Sequence, residues 1–87
     1  MSATPTHQLR ARISPRAALA VNMVALRGSL GWSQEALAFE SGLHRTFVAH
    51  VERGVRNPAL DNVERLAVAL GVETYELLTP GKYAPLG

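Results

Sequence analysis

The run His44-Arg45-Thr46-Phe47-Val48-Ala49-His50 gathers side chains that complement nucleic acid better than they assemble any reaction centre. The Arg45 fork can donate two hydrogen bonds to a guanine edge. Thr46 offers a hydroxyl or a methyl, His50 a ring nitrogen, and Ala49 close approach or contact with a thymine methyl. As a helix, this run and its continuation put Val48, Val51 and Glu52 on one side. Thr46, Ala49, His50 and Arg53 fall on the other, with Arg45 and Phe47 at the margins. That outward side is nearly free of acid, and a helix of this width fits the major groove of B-DNA. Phe47 reads either as a base-facing residue or as a partly buried packing residue. Catalytic parts are missing: His7, His44 and His50 lack an i,i+4 partner and a carboxylate cluster, there is no phosphate-binding glycine loop, and no nucleophile sits beside a base. The expectation is a protein that is not an enzyme, with no metal, no cofactor and no small-molecule ligand.

The elements that must position this helix follow from apolar spacing. Residues 34 to 53 have the spacing of a helix-turn-helix unit, with Leu37 and Ala38 inward, Gly42 at the turn, and Leu43, Val48 and Val51 holding the second helix on the first. Upstream, Ser14-Pro15 is a cap followed by a first-turn proline. Leu19, Met23, Leu26 and Leu30 then share a stripe within about 40° on the helical wheel, ending near Ser29 to Gly31. Val21 and Val24 fall opposite that stripe. Ser33 caps the second helix, Glu35 suits its N-terminal dipole, and Ser41-Gly42 stops it. Gly54 closes the third helix and Val55 to Pro58 form a turn. Leu60, Val63, Leu66, Ala67 and Leu70 stripe a fourth helix closed by Gly71. A short fifth helix is expected over Thr74 to Leu78 with Thr74 as cap, and Thr79 to Gly87, with two prolines and two glycines, is expected to fray. The expected fold is all-α, a compact five-helix bundle. A flexible basic arm takes residues 1–13, the folded domain 14–79 and a C-terminal tail 80–87.

Composition sets limits on this reading. A chain of 87 residues buries only about 60% of its unfolded surface, enough for one small core. The absence of cysteine excludes disulfides, thiol nucleophiles and Cys-based zinc sites. The run Ala17 to Met23, broken by Asn22, is far short of the roughly 20 apolar residues that span a bilayer. The N-terminus lacks the ordered parts of a signal peptide, so a soluble, cytoplasmic protein without membrane contact is expected. The net charge of +2 is unevenly spread. Arg10, Arg12, Arg16 and Arg27 precede the first acid, whereas residues 57 to 87 hold Arg65 and Lys82 against Asp61, Glu64, Glu73 and Glu76. The N-terminal part therefore attracts polyanions.

The sequence resembles the Cro/repressor-type (XRE) helix-turn-helix family of bacterial and phage transcription regulators. The matching text is Leu26-Arg27, Gly31, Ser33-Gln34-Glu35-Ala36-Leu37-Ala38, Ser41-Gly42-Leu43, Arg45 to Val48, Val51-Glu52-Arg53-Gly54, Arg56-Asn57-Pro58 and Leu66 to Val72. His44 to Val48, followed by ERG and RNP, looks particularly like the controller proteins of restriction–modification systems. The resemblance implies a lambda-repressor-like fold. It also implies a homodimer on a near-palindromic double-stranded DNA operator, autoregulation, RNA polymerase as a possible contact, and a bacterial, phage or plasmid origin.

Residue by residue, the resemblance implies that Arg45, Thr46, Phe47, Ala49 and His50 approach bases. Gln34 would touch a phosphate and buttress the reading helix, and Arg53, Arg56 and Asn57 would hold the backbone beyond it. Arg27 and Glu52 would form a structural ion pair. His44 departs from the family's usual Ser, Thr or Asp, so either the cap is weak or His44 reaches a DNA phosphate. Val24 departs from the arginine of many relatives. Val68, Tyr75, Leu77 and Leu78 form the candidate self-association surface, with plain core as the alternative. Two other readings stand beside this one: an antitoxin subunit that binds its operator and a toxin, and a helical protein-interaction module without DNA.

Overall fold

The computed structural model describes residues 13–83. The described residues form five α-helices and no strand: α1 Pro15–Leu30, α2 Gln34–Ser41, α3 Arg45–Glu52, α4 Leu60–Leu70 and α5 Thr74–Leu77. The expected arm, with His7, Arg10 and Arg12, lies outside the described residues except for Ile13, as does the expected tail from residue 84 onward. Among the described residues no helix is long and apolar enough to cross a membrane.

Local chemistry sets the helix ends. Ser14 Oγ accepts from the Ala17 amide at 3.1 Å and Ser33 Oγ from the Ala36 amide at 3.0 Å, each satisfying a first-turn donor that the helix leaves orphaned. Gly42 ends α2 at φ 74°, a left-handed conformation that side chains with a Cβ strain to adopt. The chain reverses there, with the Leu43 amide donating back to the Ala38 carbonyl at 3.0 Å. His44 stands at the N-cap of α3 without a side-chain cap bond, so that cap is weak. At α5 the N-cap is Glu73 and not Thr74. The Glu73 amide donates to the Glu76 carboxylate at 2.9 Å, and a carboxylate held there can reciprocate across the first turn.

Leu19 and Met23 of α1, Leu37 and Ala38 of α2, Val48 and Val51 of α3, Val63, Leu66, Ala67 and Leu70 of α4, and Leu77 of α5 make one core. Two stripe residues depart from expectation. Leu30 is exposed because burial falls along α1 from Met23 through half-buried Leu26, the stripe outrunning its partners before the helix ends. Leu60 is exposed at the opposite extreme, in the first turn of α4.

Thr79 to Tyr83, expected to fray, is instead tied to α1. Asn22 is fully buried, and its side chain bonds the Leu77 and Thr79 carbonyls and the Tyr83 amide. Lys82 Nζ lies 3.5 Å from the Glu76 carboxylate. The backbone hydrogen bond from Glu73, with Lys82 adding to it against desolvation, lowers the Glu76 pKa, while desolvation and the nearby Glu76 charge raise that of Tyr83. A carboxylate with a lowered folded pKa contributes stability that is complete above its unfolded value and is lost as pH falls through the folded one. Wild type should therefore be more stable than Glu76→Gln at neutral pH, with the gap closing as acid is added below the ordinary carboxylate range. Urea unfolding of both proteins across that range measures it, and a gap independent of pH contradicts the assignment.

Candidate nucleic-acid interface

The α3 helix has two chemically distinct sides. Val48 and Val51 are buried in the core, Arg45, Thr46 and Arg53 are exposed, and Phe47, Ala49 and His50 are half-buried. Its sole acid, Glu52, is turned inward: the Glu52 side chain is 3% exposed and that of its partner Arg27 18%. Arg27 Nε donates to Oε2 at 2.7 Å and Nη2 to Oε1 at 2.9 Å, a bidentate pairing of a planar fork with a carboxylate. Arg27 Nη1 also donates to the Trp32 carbonyl at 2.8 Å, and Gln34 Nε2 donates to Glu52 Oε1 at 2.9 Å. The Arg27–Glu52 pair thus joins α1, the turn after it, α2 and the end of α3. The hydrogen bond to Glu52 is the largest influence on Arg27, raising its pKa above the ordinary value against the desolvation that burial imposes.

Gln34 thus bonds the last residue of α3 through one amide hydrogen, leaving the second without a partner in this bond. Beyond α3, the Arg56 guanidinium lies 5.1 Å from the centroid of the Phe47 ring, a cation–π arrangement that restrains an otherwise mobile cation. Phe47 also packs on the core, so the packing alternative describes much of its ring. His44, Arg53, Arg56 and Asn57 are all exposed around the same helix. Among the described residues no group of three or more His, Asp or Glu is placed to hold a metal ion.

An open cleft of about 450 Å³ runs along this side, lined among others by His44, Thr46, His50, Arg56 and Asn62. Asn62 was not anticipated. It lies on α4, outside the helix-turn-helix unit, and reaches the cleft because α4 packs across α2, a proximity that linear spacing does not display.

The candidate self-association residues divide. Val68 is 73% exposed and Tyr75 67%, whereas Leu77 is 0% exposed. Leu77, expected on that surface, is instead a core residue through which the single turn of α5 is anchored. Leu78 is half-buried against the same core.

The chain matches a family described as helix-turn-helix over residues 24–77. It is 55% identical over 65 residues to a hypothetical transcription factor of Neisseria meningitidis, a match covering 75% of this chain and 61% of that protein. It is 56% identical over 46 residues to the control protein C.BamHI of Bacillus amyloliquefaciens, covering 53% of this chain and 57% of that protein. The chain thus spans less than two thirds of either curated relative. Among solved structures, a hypothetical transcription factor from Neisseria superposes with TM-score 0.76 at 46% identity, covering 94% of this chain and 88% of that one. The restriction-modification controller protein C.AhdI from Aeromonas hydrophila superposes with TM-score 0.68 at 47% identity, covering 71% of this chain and 94% of that one.

Removing the Glu52 carboxylate leaves a guanidinium and an amide facing each other without their acceptor. Glu52→Ala should lower the unfolding free energy by about 3 kcal/mol, whereas replacing both partners (Arg27→Met with Glu52→Leu) should recover at least about half of the loss. Urea denaturation measures both. A single-variant loss under about 0.5 kcal/mol would place the pair with exposed surface bridges and contradict its role.

Proposed function

This chain belongs to the helix-turn-helix family, of XRE type, and on that premise we propose that it is a sequence-specific double-stranded DNA-binding transcriptional regulator acting as a homodimer. The observation that carries the reading is the outer side of α3, which presents Arg45 and Thr46 to solvent while its one carboxylate is neutralised beneath it by Arg27. An acid-free, hydrogen-bonding helix surface complements the phosphate-lined major groove, where the first residues of the helix meet base edges. Arg45, Thr46, Ala49 and His50, with the free part of Phe47, read bases. Gln34, His44, Arg53, Arg56 and Asn57 meet phosphates and set register without carrying sequence information.

Two such helices, related by a twofold axis, enter successive major grooves about 34 Å apart on a near-palindromic operator. Exposed Val68 and Tyr75, flanked by half-buried Leu78, supply the apolar surface for pairing. The resemblance to proteins named as restriction–modification controllers supports an autoregulatory role in the cytoplasm of a bacterium. There a bound dimer blocks RNA polymerase or offers it a contact. The chain acts by occupancy and not by catalysis.

Selection of bound sequences from random duplexes should return a symmetric site whose halves are one helical turn apart. Unrelated or asymmetric sequences contradict the proposal. On the selected site, Arg45→Ala should lose about 1–3 kcal/mol of discrimination at one base position in each half. Arg56→Ala should weaken every duplex alike and reduce the salt slope by about 1. Equal losses for Arg45→Ala on selected and random DNA, measured by fluorescence anisotropy, contradict its base-reading role.

A further inference from the structure

Asn22 is fully buried within α1, and its side chain serves one remote segment. Nδ2 donates to the Leu77 carbonyl at 2.9 Å and the Thr79 carbonyl at 3.0 Å, with a longer approach of 3.4 Å to Glu76, and Oδ1 accepts from the Tyr83 amide at 3.2 Å. The amide's donors and its acceptor are thereby satisfied, which a buried amide requires. The segment that it holds cannot hold itself. The α5 helix has four residues, one turn, far below the length at which a helix persists without tertiary support. It is fixed at its start by the Glu73–Glu76 box and at its end by Leu77, whose side chain lies in the core and whose carbonyl accepts from Asn22. Tyr75 is exposed on this same turn, so whatever fixes the turn fixes where Tyr75 points. A leucine at position 22 would have the same branched outline and bury more apolar surface. An amide there adds direction, not apolar area.

We infer that Asn22 is the positioning residue for self-association: from inside α1 it locks α5 and Tyr75 into the conformation in which two copies pair. The inference deepens the homodimer reading above and rests on it. With α5 already formed in the monomer, association does not bear the cost of ordering it, and that pre-organisation appears directly in the dimer constant.

The test is sedimentation equilibrium of the full chain over a concentration series, comparing wild type with Asn22→Leu. This variant keeps the branched outline of the side chain and does not weaken the helix, since leucine is the better helix former, while removing every side-chain bond to residues 76–83. Amide hydrogen exchange at Tyr83 and binding of monomer to a single half-site duplex accompany it. The dimer dissociation constant should rise by at least about tenfold and Tyr83 exchange should accelerate, while half-site affinity stays within about threefold because the Arg27–Glu52–Gln34 network is untouched. A merely structural role would lower the melting temperature and leave the dimer constant, measured well below melting, unchanged. That result overturns the inference. Should Asn22→Leu fail to fold, Tyr83→Pro compared with Tyr83→Ala removes the amide donor alone; a weaker dimer supports the inference and an unchanged one overturns it. A wild-type chain that is monomeric at every concentration overturns the homodimer reading itself, and the inference with it.

Discussion

The Glu52 carboxylate is the constraint on which the candidate interface depends. It ends α3, yet three hydrogen bonds from Arg27 and Gln34 hold it under the helix and not on its outer side. Two consequences follow from one placement. The angle of α3 is fixed against α1 and α2 by directional bonds that apolar packing of Val48 and Val51 does not supply. The same bonds remove from the outward side a negative charge that would repel phosphate. A salt bridge of this kind contributes less to net stability than to geometry, since burying both charges costs much of what their attraction returns.

The rest of the chain serves that geometry with little material. A small core leaves each element few residues with which to anchor itself, and the short elements rely on polar fastenings. The turn at Gly42 gives α2 and α3 their reversal, Arg56 is laid over Phe47 at the far edge of the cleft, and α5 is fastened by Glu73, Glu76 and Asn22. The acidic C-terminal part and the acid-free outer side of α3 divide the molecule electrostatically. One end suits a polyanion, and the other exposes Val68 and Tyr75.

Much of this was legible in the sequence, for identifiable reasons. Ser14-Pro15, Ser33 and Gly42 announce helix ends through local chemistry, and the Leu19–Met23 and Val63–Leu70 stripes announce buried faces through period. Both signals survive folding because they depend on near neighbours. The partnership of Arg27 and Glu52 was legible through family resemblance, not through spacing. What escaped depends on tertiary proximity. Asn22 read as an interruption of an apolar run because its four partners lie more than fifty residues away, and Asn62 enters the cleft through the packing of α4 on α2. Leu30 and Leu60 have the correct phase for burial and still face solvent, since periodicity gives direction around a helix but not where along it the neighbours stop. Leu77 shows the converse, a residue fit for an interface by type that a one-turn helix needs as its anchor.

The outer side of α3 is the surface proposed to meet DNA, and amide chemical-shift mapping during titration with a duplex tests this most directly. The largest perturbations are expected at Arg45 to His50 and at Arg53 to Asn57, with Asn22 and the buried α1 residues unmoved. Perturbations centred on Val21 and Val24 of α1, or on α4 and α5, with α3 silent, would contradict it.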